Sequence, residues 1–304
     1  MKRILLCMAA VLALAACEQS YEEQKRMTRA QKRKLWLQDS AAMKIAVMPT
    51  LDCLPLFLAK DHGLFEKHGV DIRLKRFTAQ MDCDTAIERG RVEAGVTDLV
   101  RAERMKNNGT PLQYVTATNA YWQLYTNRNA RIRELKQLDD KMLAMTRYSV
   151  TDMLTDLIVD SAKLQQERLF RIQVNDVTVR ISMLLGNEMD AMLLTEPQAT
   201  QARLARHNML LDTRKLDIQM GVLAVRESPL KDSTRRRQLD VLKRVYNQAC
   251  DSLNQRGISF YRDLVAKYCY LKPSVVDSLP RLKFPKVAAP RPQDVERAQK
   301  WIKK

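Results

Sequence analysis

The sequence predicts an α/β chain of two doubly wound lobes, joined by a two-segment hinge and followed by a helical C-terminal part. Three observations predict it: short apolar strands alternate with amphipathic helices from Lys44, the same rhythm restarts after Lys136, and beyond Val225 only helical periods remain. In the first run, 44–48 (KIAVM) reads as a strand and 55–68 as a helix with Pro55 in its first turn. Segment 70–77 alternates apolar and charged residues as a half-solvated strand does, and 82–90 is a short helix stopped by Gly90. Strand 94–99, helix 100–108 and strand 112–118 complete the run. In the second run the strands are 142–146, 169–174 and 191–194, and the helices are 151–164, 176–185 and 197–207. A last apolar strand, 219–225 (QMGVLAV), precedes helical segments 230–254, 258–271, 273–282 and 292–302, separated by proline or glycine.

This pattern assigns residues 44–120 and 221–304 to lobe one with the C-terminal helices, and 121–220 to lobe two with its crossings. The crossings are expected near Tyr121–Arg131 and Leu211–Met220, and a cleft between two hinged lobes is the default ligand site.

The N-terminus indicates the compartment. Met1-Lys2-Arg3 precedes an apolar run, Ile4 to Ala16, which is too short to span a bilayer and has the form of a signal-peptide core. It ends in Leu14-Ala15-Ala16-Cys17, which resembles the bacterial lipobox, whose cysteine becomes a lipid-carrying N-terminus. Residues 1–16 are therefore expected to be a lipoprotein signal peptide. Cys17 would carry lipid, palmitate included, and 17–43 would form a polar tether between membrane and folded body.

Six cysteines then reduce to four in an oxidising compartment: Cys53, Cys83, Cys250 and Cys269. Three pairings are possible. Cys53 and Cys83 each follow a strand and open a helix, and Cys250 and Cys269 lie on successive helices, so disulfides Cys53–Cys83 and Cys250–Cys269 are expected, with buried free thiols as the other reading. No CxxC or His spacing supports a metal site, and only 8 glycines and no GxGxxG or GxxxxGK[ST] loop argue against nucleotide phosphate binding.

Residues 55–71 (PLFLAKDHGLFEKHGVD) resemble the first helix and second strand of periplasmic solute-binding proteins, in the branch that handles taurine, aliphatic sulfonates, nitrate and the thiamine pyrimidine. Residues 86–97 (AIERGRVEAGVT) resemble that family's next block, and 186–192 (GNEMDAM) with 195–199 (TEPQA) its lobe-two counterpart. The resemblance runs from about Lys44 to Lys304. It implies the type-two periplasmic-binding-protein fold, and capture of a small solute for delivery to an ABC permease by a lipid-anchored monomer facing the periplasm. Neither a cofactor nor a catalytic role is expected, although some enzymes share this two-lobed fold. The three histidines, His62, His68 and His207, lie on helices outside the cleft loops.

In a doubly wound sheet, ligands sit beyond the C-terminal strand ends. The candidate contacts there are Asp52, Asp84 and Asp98 in lobe one, Trp122 at the crossing, and Arg147, Tyr148, Ser149, Thr151 and Glu196 in lobe two. Most also have a structural reading. Asp52, Asp82 and Asp84 suit helix caps, as do Ser149 and Thr151. Tyr121 and Trp122 either stack on a flat ligand or pack near the hinge. Arg147 either clamps a carboxylate or sulfonate or sits in solvent. The resemblance puts Glu196 at the cleft mouth. Acids at strand ends repel a bare sulfonate or nitrate, so an amine or a donor-rich heterocycle such as a thiamine-precursor pyrimidine fits better.

The net charge of +17 first suggests nucleic acid. Counted by segment, 18–228 holds 32 basic and 28 acidic residues, whereas 229–304 holds 18 and 7. The excess lies on C-terminal helices without an aromatic stacking row, which excludes the nucleic-acid reading and leaves solvated helix faces near an anionic membrane.

Overall fold

The computed structural model describes residues 28–303, so the signal segment, Cys17 and the first part of the tether lie outside the described residues. The chain divides into two units, Met1–Ala42 and Met43–Lys304. The described part of the first is a helix, α1 (Arg29–Ala41), with no buried residue. The Thr28 side chain accepts from the Gln31 N–H, and the Gln31 side chain accepts from the Thr28 N–H, a reciprocal cap that starts the helix.

The second unit carries two five-stranded sheets. The first contains β1 (Met43–Val47), β2 (Ile72–Arg76), β3 (Ala94–Asp98), β4 (Leu112–Ala117) and, returning from late in the chain, β10 (Gly221–Arg226). Its order is β2-β1-β3-β10-β4. The second contains β5 (Gln123–Thr126), β6 (Lys141–Met145), β7 (Leu169–Gln173), β8 (Ala191–Leu194) and β9 (Asn208–Asp212), in the order β7-β6-β8-β5-β9. The chain passes between sheets twice, after β4 and before β10, giving two α/β lobes on a two-segment hinge.

Each sheet is mixed rather than purely parallel. β10 runs antiparallel between β3 and β4, and β5 antiparallel between β8 and β9. Both are the strands that carry the chain into or back into a lobe. β5 and β9 are absent from the sequence-based prediction: β5 lies within the expected crossing 121–131, and β9 overlaps the start of the expected crossing 211–220.

The helices of lobe one are α2 (Leu54–Asp61), α3 (Leu64–Lys67), α4 (Gln80–Glu88) and α5 (Leu99–Asn107). The single helix expected over 55–68 is two, because Gly63 adopts φ +62° and breaks the turn between them. Lobe two has α6 (Val150–Ala162), α7 (Val177–Leu185) and α8 (Gln198–Leu204), and the C-terminal part has α9 (Ser233–Arg256), α10 (Arg262–Cys269), α11 (Pro273–Val276) and α12 (Pro292–Ile302). The helix expected over 273–282 is only its first turn, since Pro280 lacks an N–H to donate and turns Leu279 away from the helical conformation.

Alternation explains the layering: β1 and β3 bury almost every residue because helices cover both faces of the first sheet. The Phe57 ring stacks on Tyr268 at 4.4 Å, fixing α2 against α10 with about 1 kcal/mol beyond simple burial. Gly95 on β3 lets α4 approach, since a Cβ there would lie 2.7 Å from Ile87.

The expected disulfides are not formed; all four described cysteines are buried free thiols. Met48 explains the first: its N–H donates to Cys53 Sγ at 3.4 Å, while the Cys83 thiol donates to its sulfur at 3.5 Å. Both thiols are thus aimed at one intervening residue. The Cys250 thiol donates to the Pro285 carbonyl at 3.3 Å instead of meeting Cys269. Burial pushes the Cys83, Cys250 and Cys269 thiols up to about 12, so none is a ready thiolate.

Candidate functional site

The C-terminal ends of the two sheets face each other, and the lobes meet there through hydrogen bonds. From lobe one to lobe two, Leu51 N–H donates to the Glu196 carbonyl at 3.0 Å, Gln80 N–H to that of Asn175 at 3.3 Å, and Thr78 hydroxyl to Asp176 at 2.6 Å. In return, Val177 N–H donates to the Thr78 carbonyl at 3.0 Å and the Gln198 amide to that of Pro49 at 3.2 Å. Between the lobes lies a cavity of about 30 Å³, bordered by Thr50, Asp52, Thr97, Asp98, Arg101 and Trp122 among others. It has room for one or two water-sized groups.

Asp98 is the hinge-side junction of this site. It ends β3 and caps α5, its Oδ1 accepting from the Arg101 N–H at 3.0 Å. The same oxygen accepts from the Val150 N–H at 3.1 Å, the first turn of α6 in lobe two. One carboxylate oxygen therefore serves a helix N-terminus in each lobe, where positive dipole ends favour it. Its other oxygen, Oδ2, has no hydrogen-bond partner, and neither has the Thr97 hydroxyl beside it. Burial raises the Asp98 pKa to about 6, against the lowering pull of Arg101. Asp52 is also buried and raised, chiefly by desolvation; the Thr118 hydroxyl donates to it at 3.3 Å.

Arg101, which the sequence reading missed, anchors these acids. Its guanidinium is buried, donates to both oxygens of Asp84 and to the Gln80 carbonyl, and lies 4.0 Å from Asp98 Oδ2. Asp84 is thus the buried counter-ion of Arg101, with Arg104 adding a contact at 3.2 Å. The available signal was Arg101 three residues after the capping Asp98, on the same face of α5.

Arg180 was missed as well. It is fully buried, donates to the carbonyls of Val174 and Leu193, to the Thr146 hydroxyl at 2.7 Å and to the Gln80 side chain at 3.4 Å, and has no carboxylate within ion-pair distance among the described residues. Desolvation and the nearby Arg101 charge lower its pKa to about 10.

The remaining candidates divide between local structure and solvent. Ser149 caps α6, accepting from Thr151 N–H and donating to the Thr146 carbonyl at 2.7 Å; Thr151 accepts from the Thr146 N–H at 2.9 Å. Glu196 accepts from the Tyr121 hydroxyl at 3.0 Å and from the Thr200 N–H and hydroxyl, and pairs with Arg203 at 3.5 Å, so its oxygens are fully engaged. Its carboxylate in turn raises the Tyr121 pKa, after desolvation. Arg147 and Tyr148 are exposed, and the Tyr148 ring lies under the Arg104 guanidinium at 5.8 Å, on the rim. Trp122 is buried at the cavity wall, its N–H donating to the Thr213 hydroxyl at 3.0 Å. The histidines lie elsewhere: His62 and His68 are exposed at helix ends, and His207 accepts from the Arg128 N–H. Among the described residues no His, Cys, Asp and Glu group has the spacing to hold a metal ion, and no helix is long and apolar enough to cross a membrane.

No curated protein sequence matches the chain. Its fold is similar to the alkanesulfonate-binding protein SsuA of Xanthomonas axonopodis pv. citri bound to MOPS, at TM-score 0.73 and 18% identity over 86% of this chain and 91% of that one. It is similar to the ligand-binding component of an ABC-type import system from Staphylococcus aureus, at TM-score 0.71 and 15% identity, covering 86% and 91%. The periplasmic nitrate-binding protein NrtA from Synechocystis PCC 6803 follows at TM-score 0.66 and 13% identity, covering 81% and 74%. At these identities the likeness establishes the fold. A family model described as NMT1/THI5 like matches residues 50–252, two thirds of the chain. The chain therefore belongs to the NMT1/THI5-like family and has the periplasmic-binding-protein fold.

Proposed function

We propose that this protein is the extracytoplasmic, lipid-anchored component of an ABC importer, which captures a small solute between its lobes and hands it to the permease. The division that goes with this reading puts 44–120 and 221–304 in lobe one and 121–220 in lobe two. Cys17 is the lipid attachment point, and the protein acts as a monomer in the periplasm without catalysing a reaction. The similar solved structures that are named as sulfonate-, nitrate- and importer-ligand-binding proteins support the class.

For the solute, the carrying observation is the pair of buried oxygens without hydrogen-bond partners, Asp98 Oδ2, which has only the Arg101 guanidinium at 4.0 Å, and the Thr97 hydroxyl, on the wall of the interlobe cavity beside Asp52. A buried acceptor left unmade costs about 1–3 kcal/mol, so a solute that brings N–H donors recovers that cost. An amine or an aminopyrimidine-like heterocycle supplies them, with Trp122 as the apolar wall, and enters only when the lobes part, since the closed cavity of about 30 Å³ holds no more than one or two water-sized groups. A second reading has its own support: Arg180, buried without a carboxylate, favours an anionic group such as a sulfonate, as in the named relatives. Calorimetric titration with an aminopyrimidine, a primary amine, taurine and an alkanesulfonate separates them. Micromolar binding of the first pair supports the donor-rich reading; micromolar binding confined to the second pair overturns it.

A further inference from the structure

The N-terminal unit carries a surface that solute capture does not use. Between Lys25 and Lys34 the sequence places six basic residues, Lys25, Arg26, Arg29, Lys32, Arg33 and Lys34, and no acidic one. Leu35, Trp36 and Leu37 follow directly. On α1 these three are 48%, 67% and 50% exposed, and no residue of the helix is buried. Successive helical residues point about 100° apart, so the three side chains ring the helix instead of forming one stripe. A ring does not suit docking in a groove of a globular partner, which covers one side of a helix. It suits a medium that surrounds the helix on most sides. Trp has an apolar body and a polar N–H, the combination that settles at a bilayer interface. The basic cluster, which directly precedes them in sequence, complements an anionic lipid surface.

We infer that α1 is a membrane-contacting helix that seats Leu35, Trp36 and Leu37 in the interfacial layer of an anionic phospholipid bilayer, with Lys25–Lys34 held against the headgroups. This second contact is independent of any lipid on Cys17 and of the solute. A basic patch adds an electrostatic, salt-sensitive contact to whatever lipid anchors the chain.

The test uses the secreted form begun at residue 17 with Cys17→Ser, so that no lipid is attached. Sedimentation with vesicles is compared for phosphatidylcholine alone and phosphatidylcholine mixed equally with phosphatidylglycerol. The expected result is roughly tenfold to a hundredfold stronger binding to the anionic vesicles, weakened by salt. The triple variant Lys32→Gln, Arg33→Gln, Lys34→Gln should lose most of that difference. Trp36→Ser should weaken binding to both vesicle types, and the melting temperature of the folded body should be unchanged in each variant. Equal binding to both vesicles, or variants that bind anionic vesicles like the parent, would overturn the inference; capture of the permease in place of lipid would do the same.

Discussion

The cleft walls of the two lobes are built from the same residue types but differ in how those residues are satisfied. On the lobe-two wall Ser149, Thr151 and Glu196 are consumed at home, the first two by the turn at Thr146 and Glu196 by Tyr121, Thr200 and Arg203, while Gln198 keeps one unpartnered buried oxygen, Oε1. On the lobe-one wall, Asp98 and Thr97 each keep an unpartnered oxygen, although both are buried. Side chains spent on local structure hold a shape, and only unspent ones can recognise a solute. On the proposed solute-binding reading, this places two of the unpartnered oxygens on lobe one and leaves lobe two to contribute Gln198 Oε1, the α6 N-terminus and the Arg180 charge.

The largest effect should come from Arg101→Ala. It leaves the buried Asp84 carboxylate with Arg104 alone and removes the charge facing Asp98, so chemical denaturation should register a loss of about 3 kcal/mol. A loss under 1 kcal/mol would mean that the acids are not held as described.

Asp98→Asn should come next. It keeps an oxygen for the two helix ends but turns the free acceptor into a donor, and affinity for a donor-bearing solute should fall about tenfold to a hundredfold. Acid should act in the same direction. Burial raises the Asp98 pKa from 3.8 to about 6, so the folded protein takes up this proton at higher pH than the unfolded chain does. This group's contribution to stability therefore grows as pH falls from above 6 towards 4, while affinity for a cationic solute weakens over the same window. Both trends should disappear in Asp98→Asn, and their persistence would place the titration elsewhere.

Much of this lobe asymmetry was not legible in the sequence. Strand and helix alternation revealed two α/β lobes, because apolar runs such as 44–48 and 94–99 report burial directly. Asp52 and Asp98 were singled out from their place at strand ends, and Trp122 from its place at the crossing, and all three border the interlobe cavity. The sequence could not reveal which polar groups are already engaged. Asp84 and Arg101 are 17 residues apart, Glu196 and Tyr121 are 75 apart, and only folding joins them. Arg180 sits mid-helix, where an arginine ordinarily faces solvent, and no local signal marks it as buried. The cysteine pairs failed for the same reason: neighbouring elements bring thiols near each other, but side-chain direction decides whether they meet.

Two smaller variants sharpen the contrast between the walls. Ser149→Ala removes the cap of α6 and should cost about 1 kcal/mol of stability while leaving solute affinity within twofold. Thr97→Val should do the reverse, with unchanged or slightly raised stability and affinity lowered severalfold, because its hydroxyl has no partner to lose within the protein. If both variants alter only stability, the lobes do not differ in the way described. Arg147→Gln, at an exposed position, should stay within about 0.5 kcal/mol of the parent and serves as the control.

The central claim is that the acceptors of the lobe-one wall select the solute. Native mass spectrometry of the protein purified from its own host, at a collision energy that keeps the complex intact, reads this most directly. The account predicts a co-purifying small molecule with N–H donors, an amine or an amino-substituted heterocycle, which is absent from the Asp98→Asn variant. A sulfonate or nitrate in that position, retained by Asp98→Asn, would contradict it.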